Sequence, residues 1–226
     1  CVLNIKIYTN AMGCTIPVEV LNNLCSSKRL NCKMPNNQSF IKPICKQFLE
    51  NHFPSYHLPR KVIDTKMNKE NISVRLATLI DYKELQQLFV DTVNTVCSKD
   101  YNAQQIKVWT ESVENEQRWL NILTRQYVIV ALVKNKIAGF CTLDNGDYID
   151  LLYIHKDYQR QGIATKLYSF IEEEAITHKS SVIEADVSKT AKSFFIKMGF
   201  ETIEEKKVVQ KGVEMLNYKM KKVISK

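Results

Sequence analysis

Between residues 127 and 154 the chain reads "YVIVALVKNKIAGFCTLDNGDYIDLLYI". Three apolar runs of strand length are separated only by "KNK" and "DNGD", segments too short to hold a helix or a crossover. Runs joined this tightly pair antiparallel, and Asn-Gly between strand patterns is a strong hairpin signal. Any fold for this chain must therefore accommodate a three-stranded antiparallel meander. Its last run enters "HKDYQRQGIATKLYSF", a polar, cationic loop followed by a helix with Ile163, Leu167, Ile171 and Ala175 on one stripe. "SVIEADV" is the next strand, and a helical crossover makes the strands on either side of it parallel neighbours.

The flanking segments extend the pattern. "SVRLATL" alternates as a strand, and Asp81 with Glu84 forms a capping-box pattern ahead of Leu85, Leu88, Phe89, Val93 and Val96, which share a helical face. "YNAQQIKVW" and "ENEQRWLNIL" read as further helical pieces, with Trp109 and Trp119 packing the core. "KTAKSFFIKM" reads as a helix, and two strand-like segments flank Lys211-Gly212. The fold class is α/β with a sheet of mixed direction.

Residues 1–66 differ from the rest. They hold nine Lys/Arg against three acids and five of the seven cysteines, and so carry most of the net charge of +8. This basic excess is scattered rather than striped with aromatics, which weighs against nucleic-acid binding. Met67 followed by "NKENISVRLA" reads as a natural beginning, so residues 1–66 are expected to be an N-terminal extension outside a functional domain at 67–226. The rival reading is a small helical module, from the spacing of Phe40, Ile41, Ile44, Phe48 and Leu49 across Pro43. No run of about 18 apolar residues suggests a membrane span, and "CVLNIKIYTN" lacks the regions of a signal peptide. No cysteine pair has CxxC spacing, and Cys97 and Cys141 sit in apolar segments as buried free thiols would. A cytoplasmic location is the expectation, with no metal site, since the four histidines show no ligand spacing.

The loop carries the chemistry. A helix N-terminus presents unpaired N–H groups and a partial positive charge, and a tight loop before it focuses them on an anion. Gly162 permits close approach and unusual backbone angles; the small Ala164 keeps the first turn open, and Lys156, Arg160 and Lys166 add charge. A phosphate or pyrophosphate is the ligand group these residues suit, although an ordinary strand-to-helix turn needs no more than one glycine. The chain lacks GxxxxGK[ST], GxGxxG and GxSxG.

"QRQGIA" resembles the Q/R-x-x-G-x-G/A acyl-CoA pyrophosphate motif of the GNAT superfamily of N-acetyltransferases. "LLYIHKDYQRQGIATKLYSFIEEEA" looks like that family's fourth strand, loop and third helix, and "AKSFFIKMGF" resembles its A-x-x-[FL]-[YF]-x-x-x-G-F signature. The likeness spans residues 73–222 and looks closest to the YafP-like branch. It implies a mostly antiparallel central sheet flanked by helices, with a splayed fourth strand, in a bacterial enzyme that uses acetyl-CoA. The backbone of Gln159, Arg160, Gln161, Gly162, Ile163, Ala164 and Thr165 would bind the pyrophosphate. Leu152, Tyr153 and Ile154 would hold the pantetheine arm, with the Ile154 N–H stabilising the oxyanion.

Tyr148 and Asp150 share a strand face. That face carries a carboxylate general base in several GNAT enzymes, so Asp150 is the candidate base, with a structural or substrate-orienting carboxylate as the alternative. The resemblance also implies that Tyr101, Gln105 and Trp109 cover the acceptor. Ser188 stands where many relatives place an asparagine that contacts CoA. Phe195 stands where many have a tyrosine acid; Tyr153 and Tyr218 are fallback proton donors. The implied activity is acetyl transfer to an amine of a small molecule or protein, in a family whose members are often homodimers. A non-catalytic acyl-CoA-binding regulatory module is the alternative.

Overall fold

A computed structural model describes residues 7–9, 15–17 and 72–224. The chain divides into two units, Cys1–Leu58 and Pro59–Lys226. In the first, β1 (Ile7–Thr9) pairs antiparallel with β2 (Thr15–Pro17), placing Tyr8 opposite Ile16. The expected boundary at residue 66 and the helical spacing at 40–49 lie outside the described residues.

The second unit runs β3 (Ile72–Leu76), α1 (Tyr82–Thr95), α2 (Ala103–Glu111), α3 (Glu116–Arg125), β4 (Tyr127–Val133), β5 (Lys136–Asp144), β6 (Tyr148–Ile154), α4 (Ile163–Thr177), β7 (Val182–Ser188), α5 (Lys192–Lys197), β8 (Glu201–Gln210) and β9 (Val213–Val223). Seven strands form one sheet in the order β3-β4-β5-β6-β7-β9-β8. The meander is present, its turns made by left-handed residues: Lys134 and Asn135 at φ 50 and 63, Asn145 and Gly146 at φ 49 and 82. Such turns match the twist of the strands they join. β6 and β7 are parallel, as the helical crossover requires, and the other pairs are antiparallel.

Both sheet faces are covered. The α4 stripe of Ile163, Leu167, Ile171 and Ala175 is at most 1% exposed and meets Ile129, Ala131, Cys141, Leu143 and Ile183. On the other face, Leu85, Leu88, Phe89 and Val93 of α1 join Trp119 and Ile122 of α3 over Val128, Val130 and Phe140. Successive residues of β4 thus serve opposite layers, which is why that run is apolar without alternation. Cys97 and Cys141 are free and buried, and burial raises the Cys97 thiol to about 11.

One local expectation shifts by three residues. The capping box forms between Thr78 and Asp81 rather than Asp81 and Glu84. Asp81 is claimed from upstream: Arg75 donates to both carboxylate oxygens at 2.8 Å, and the Thr78 N–H to one of them at 2.7 Å. Burial alone would raise the Asp81 pKa, but these bonds outweigh it and hold it below the usual carboxylate range. A depressed pKa contributes stability that is present above the unfolded value and lost as pH falls through the folded one. Asp81→Asn should therefore destabilise the domain at neutral pH by about 1–3 kcal/mol. It should also remove part of the stability that the wild type loses below about pH 4, as measured by denaturant unfolding across that range.

Candidate functional site

β6 has two neighbours at its start and one at its end. Tyr148 and Ile149 pair with Glu184 and Ala185 of β7, and there that ladder stops, while pairing with β5 continues to Ile154 opposite Gly139. A bulge accounts for the divergence. Asp150 and Leu151 together oppose the single residue Thr142, and the Leu151 N–H donates to Thr142 Oγ1 at 3.0 Å instead of to a carbonyl. A bulge bends its strand and adds twist, so the second half of β6 leaves β7 behind. Gly139 lets β5 follow, because a Cβ there would lie 2.6 Å from Ile154 Cδ1 and 2.9 Å from the Tyr153 carbonyl oxygen.

The gap has an ordered edge. The His155 N–H donates to the Ala138 carbonyl at 2.9 Å, so by strand alternation the N–H groups of Leu152 and Ile154 point away from β5, toward the gap. The Ile154 carbonyl on that side is already engaged, accepting from Thr92 Oγ1 at 3.2 Å and Gln159 Nε2 at 2.6 Å. Gln159 thereby ties the following loop to the end of β6. That loop then turns through Arg160 at φ 62 and Gly162 at φ 80, ψ 0, which is the N-cap of α4. The first helical bond runs from the Lys166 N–H to the Gly162 carbonyl, leaving the N–H groups of Ile163, Ala164 and Thr165 without a partner inside the helix. No atom lies within 4 Å of where a Gly162 Cβ would stand; the left-handed backbone, rather than crowding, is what favours glycine there.

On the α1–α3 face, Asp150 lines an open cavity of about 590 Å³ together with Asn115, Asn121, Arg125 and Asp144. Its Oδ1 accepts from Arg118 Nη2 at 2.7 Å and its Oδ2 from Gln126 Nε2 at 3.0 Å. Gln126 Oε1 is buried without a hydrogen-bond partner. Burial, then the nearby Asp186 and Asp150 charges, push the Tyr148 phenol up to about 12. Tyr153 is half-buried between Phe89 and Phe140, with ring centroids 4.9 and 5.7 Å away. Burial pushes the pKa of its hydroxyl well above the usual phenol range, a rise that the neighbouring Trp109 indole partly offsets. Both phenols thus keep their protons near neutral pH.

The three residues expected over the acceptor divide. The Tyr101 hydroxyl donates to the Leu216 carbonyl at 3.2 Å and accepts from the Lys189 N–H at 2.8 Å. Gln105 Oε1 caps the start of α2 through the Asn102 N–H, and its Nε2 donates to the Glu214 carbonyl at 2.8 Å. These two fasten α2 to β9, whereas Trp109 reaches Tyr153 on β6. Ser188 Oγ accepts from the Ala191 N–H at 3.3 Å, closing the turn into α5. Phe195 is buried against Phe200, their centroids 5.0 Å apart. Sequence reasoning missed Thr142, Thr92, Arg118 and Gln126. Only Gly139 left a trace, as a glycine inside a strand run. Among the described residues, no group of His, Cys, Asp or Glu could hold a metal ion, and no helix is long and apolar enough to cross a membrane.

Comparison with known proteins agrees with this fold. The model of the acetyltransferase (GNAT) domain matches residues 97–222. The chain is 30% identical over 151 residues to the protein called uncharacterized N-acetyltransferase YafP of Escherichia coli (strain K12), covering 67% of this chain and 95% of that one. A GCN5-related N-acetyltransferase structure from Rhodopseudomonas palustris superposes with a TM-score of 0.66 at 25% identity, over 71% of this chain and 99% of that one. The PaiA N-acetyltransferase of Thermoplasma acidophilum, solved with coenzyme A, shares the fold with a TM-score of 0.57 at 17% identity, over 68% and 99% of the two chains. The chain belongs to the GNAT acetyltransferases and is an N-acetyltransferase that draws its acetyl group from acetyl-CoA.

Proposed function

We propose that this domain, within residues 67–226, moves the acetyl group to a primary amine of a small molecule or protein by direct attack of the amine nitrogen on the thioester. The observation that carries the reading is the gap beside β6, which runs into a helix N-terminus with three N–H groups free of helical bonds. In this reading the backbone from Gln159 to Thr165 holds the pyrophosphate, and the edge of β6 from Leu152 to Ile154 holds the pantetheine. The Ile154 N–H faces the thioester carbonyl and stabilises the oxyanion as it forms.

An amine with a pKa of about 10 arrives protonated. Asp150 draws the ammonium and takes its proton through water, since both of its oxygens already accept from Arg118 and Gln126. Tyr148 serves as a hydrogen-bond donor that positions the amine. The free amine nitrogen bonds to the thioester carbon, the tetrahedral intermediate gives its second proton to water, and the C–S bond breaks to release the CoA thiolate. Phe195 has no proton to offer, but a thiol with a pKa of about 8.5 leaves without a dedicated acid and recovers its proton from water. Trp109, next to Tyr153, is the residue of α2 best placed to touch the acceptor.

Gly162→Val should weaken acetyl-CoA binding at least tenfold by calorimetry. It forces a β-branched residue to φ 80, a strain of roughly 1–2 kcal/mol, which the loop relieves by moving its N–H groups; the melting temperature should change little. In a thiol-release assay over a panel of amines, Asp150→Asn should reduce amine-dependent turnover roughly 100-fold and leave acetyl-CoA affinity intact. Unchanged turnover would remove Asp150 from the mechanism. Tight binding with no amine-stimulated release in the wild type would favour the non-catalytic acyl-CoA-binding module.

A further inference from the structure

The walls of the cavity beside Asp150 specify what the acceptor carries besides its amine, on the reading that this cavity receives the acceptor. One wall is α3. Arg118, Asn121 and Arg125 stand at positions i, i+3 and i+7 of that helix, a spacing that puts them on one face, and all three line the cavity. The other wall is the β5–β6 hairpin. Asp144 pairs with Tyr148, so Asp144, Tyr148 and Asp150 belong to one face of the sheet, and both aspartates line the cavity. Guanidinium groups on one side thus meet carboxylates on the other.

Two of these four charges cancel, since Arg118 Nη2 lies 2.7 Å from Asp150 Oδ1. Among the described residues, neither the Arg125 guanidinium nor the Asp144 carboxylate has a hydrogen-bond or ion-pair partner. One positive and one negative charge are left over, on opposite walls. Gln126 adds a third unmet group: its Nε2 is spent on Asp150, while its Oε1 is buried without a partner. A buried acceptor beside a carboxylate calls for an N–H or O–H donor.

This remainder discriminates among amines. A monoamine leaves Arg125 unmatched, and a diamine sets a second cation near an unpaired guanidinium. An amine bearing a phosphate dianion brings more negative charge than one guanidinium balances. An amine with a single carboxylate satisfies both walls, and a guanidinium fork matches a carboxylate in shape as well as in charge. We propose that the acceptor is a free aminocarboxylate. Its ammonium lies on the side of Asp144 and Asp150, next to Gln126, and its carboxylate on Arg125. Asn121 assists, because its Oδ1 accepts from Gln117 Nε2 at 3.1 Å and its Nδ2 is left to donate.

The test is thiol release from acetyl-CoA by the full chain over unbranched α- to ε-amino acids. Each is paired with its carboxamide, which stands for the same residue inside a peptide, and with the amine that lacks the carboxyl group. The best aminocarboxylate should exceed both counterparts in kcat/KM by about tenfold or more. Arg125→Gln should bring its kcat/KM down to that of the carboxamide, the loss falling on KM, and Arg125→Lys should recover part of it. Arg125 is exposed and has no polar partner, so the melting temperature of both variants should match the wild type. Counterparts turned over as fast as the acids overturn the proposal and leave acetyl transfer to an amine standing. So does a carboxylate preference that survives Arg125→Gln. If no amine of the series releases thiol, the proposal fails together with the small-molecule acceptor.

Discussion

The bond from the Leu151 N–H to Thr142 Oγ1 is the small event on which the rest of the site depends. A strand in the middle of a sheet ordinarily spends all of its backbone groups on its neighbours. At this point β6 gains one residue on β5, and a side-chain hydroxyl takes the place of a carbonyl. The strand bends, pairing with β7 ends after Ile149, and backbone donors face a gap instead of a strand. The chain leaves the same strand through Gln159, which closes on the Ile154 carbonyl, and enters α4 through a left-handed glycine. Strand edge and helix end therefore follow each other along one continuous piece of chain.

Opening a sheet has a cost, and the surroundings show how it is limited. The buried hydroxyls of Thr92 and Thr142 each answer a backbone group of β6 that has no strand partner. Layers on both faces, the α4 stripe on one side and the α1–α3 cluster on the other, hold the diverging strands in place. Tyr101 does the same on the far side by bonding backbone groups of Lys189, just after β7, and of Leu216 in β9. Polar side chains here serve the opened backbone, while the apolar layers supply the rigidity that keeps it open.

What the sequence disclosed and what it withheld divide by distance along the chain. The meander, the α4 stripe and the glycine before it depend on neighbours a few residues away, so pattern and turn chemistry found them. Asp81 shows how near the limit lies: the acidic residue was visible, but Arg75 six positions upstream takes its carboxylate and moves the cap. The surroundings of Asp150 were not legible, since Arg118 and Gln126 stand 32 and 24 residues before it, on and just after a helix whose orientation no local pattern fixes. Tyr101 and Gln105 fell within the expected acceptor region, yet the Tyr101 hydroxyl and Gln105 Nε2 each donate to a backbone carbonyl more than 100 residues away. The bulge itself is invisible in "YIDLLYI", because it arises from how two strands register.

The central claim is that acetyl-CoA lies along the opened edge of β6 and ends at the start of α4. Amide-resolved hydrogen exchange of the full chain, with and without acetyl-CoA, tests this most directly. Slowed exchange at Leu152 and Ile154 together with Ile163, Ala164 and Thr165, and little change at Leu151, whose N–H is already bonded, is the predicted result. Protection confined to other segments, or none at saturating acetyl-CoA, would contradict the account.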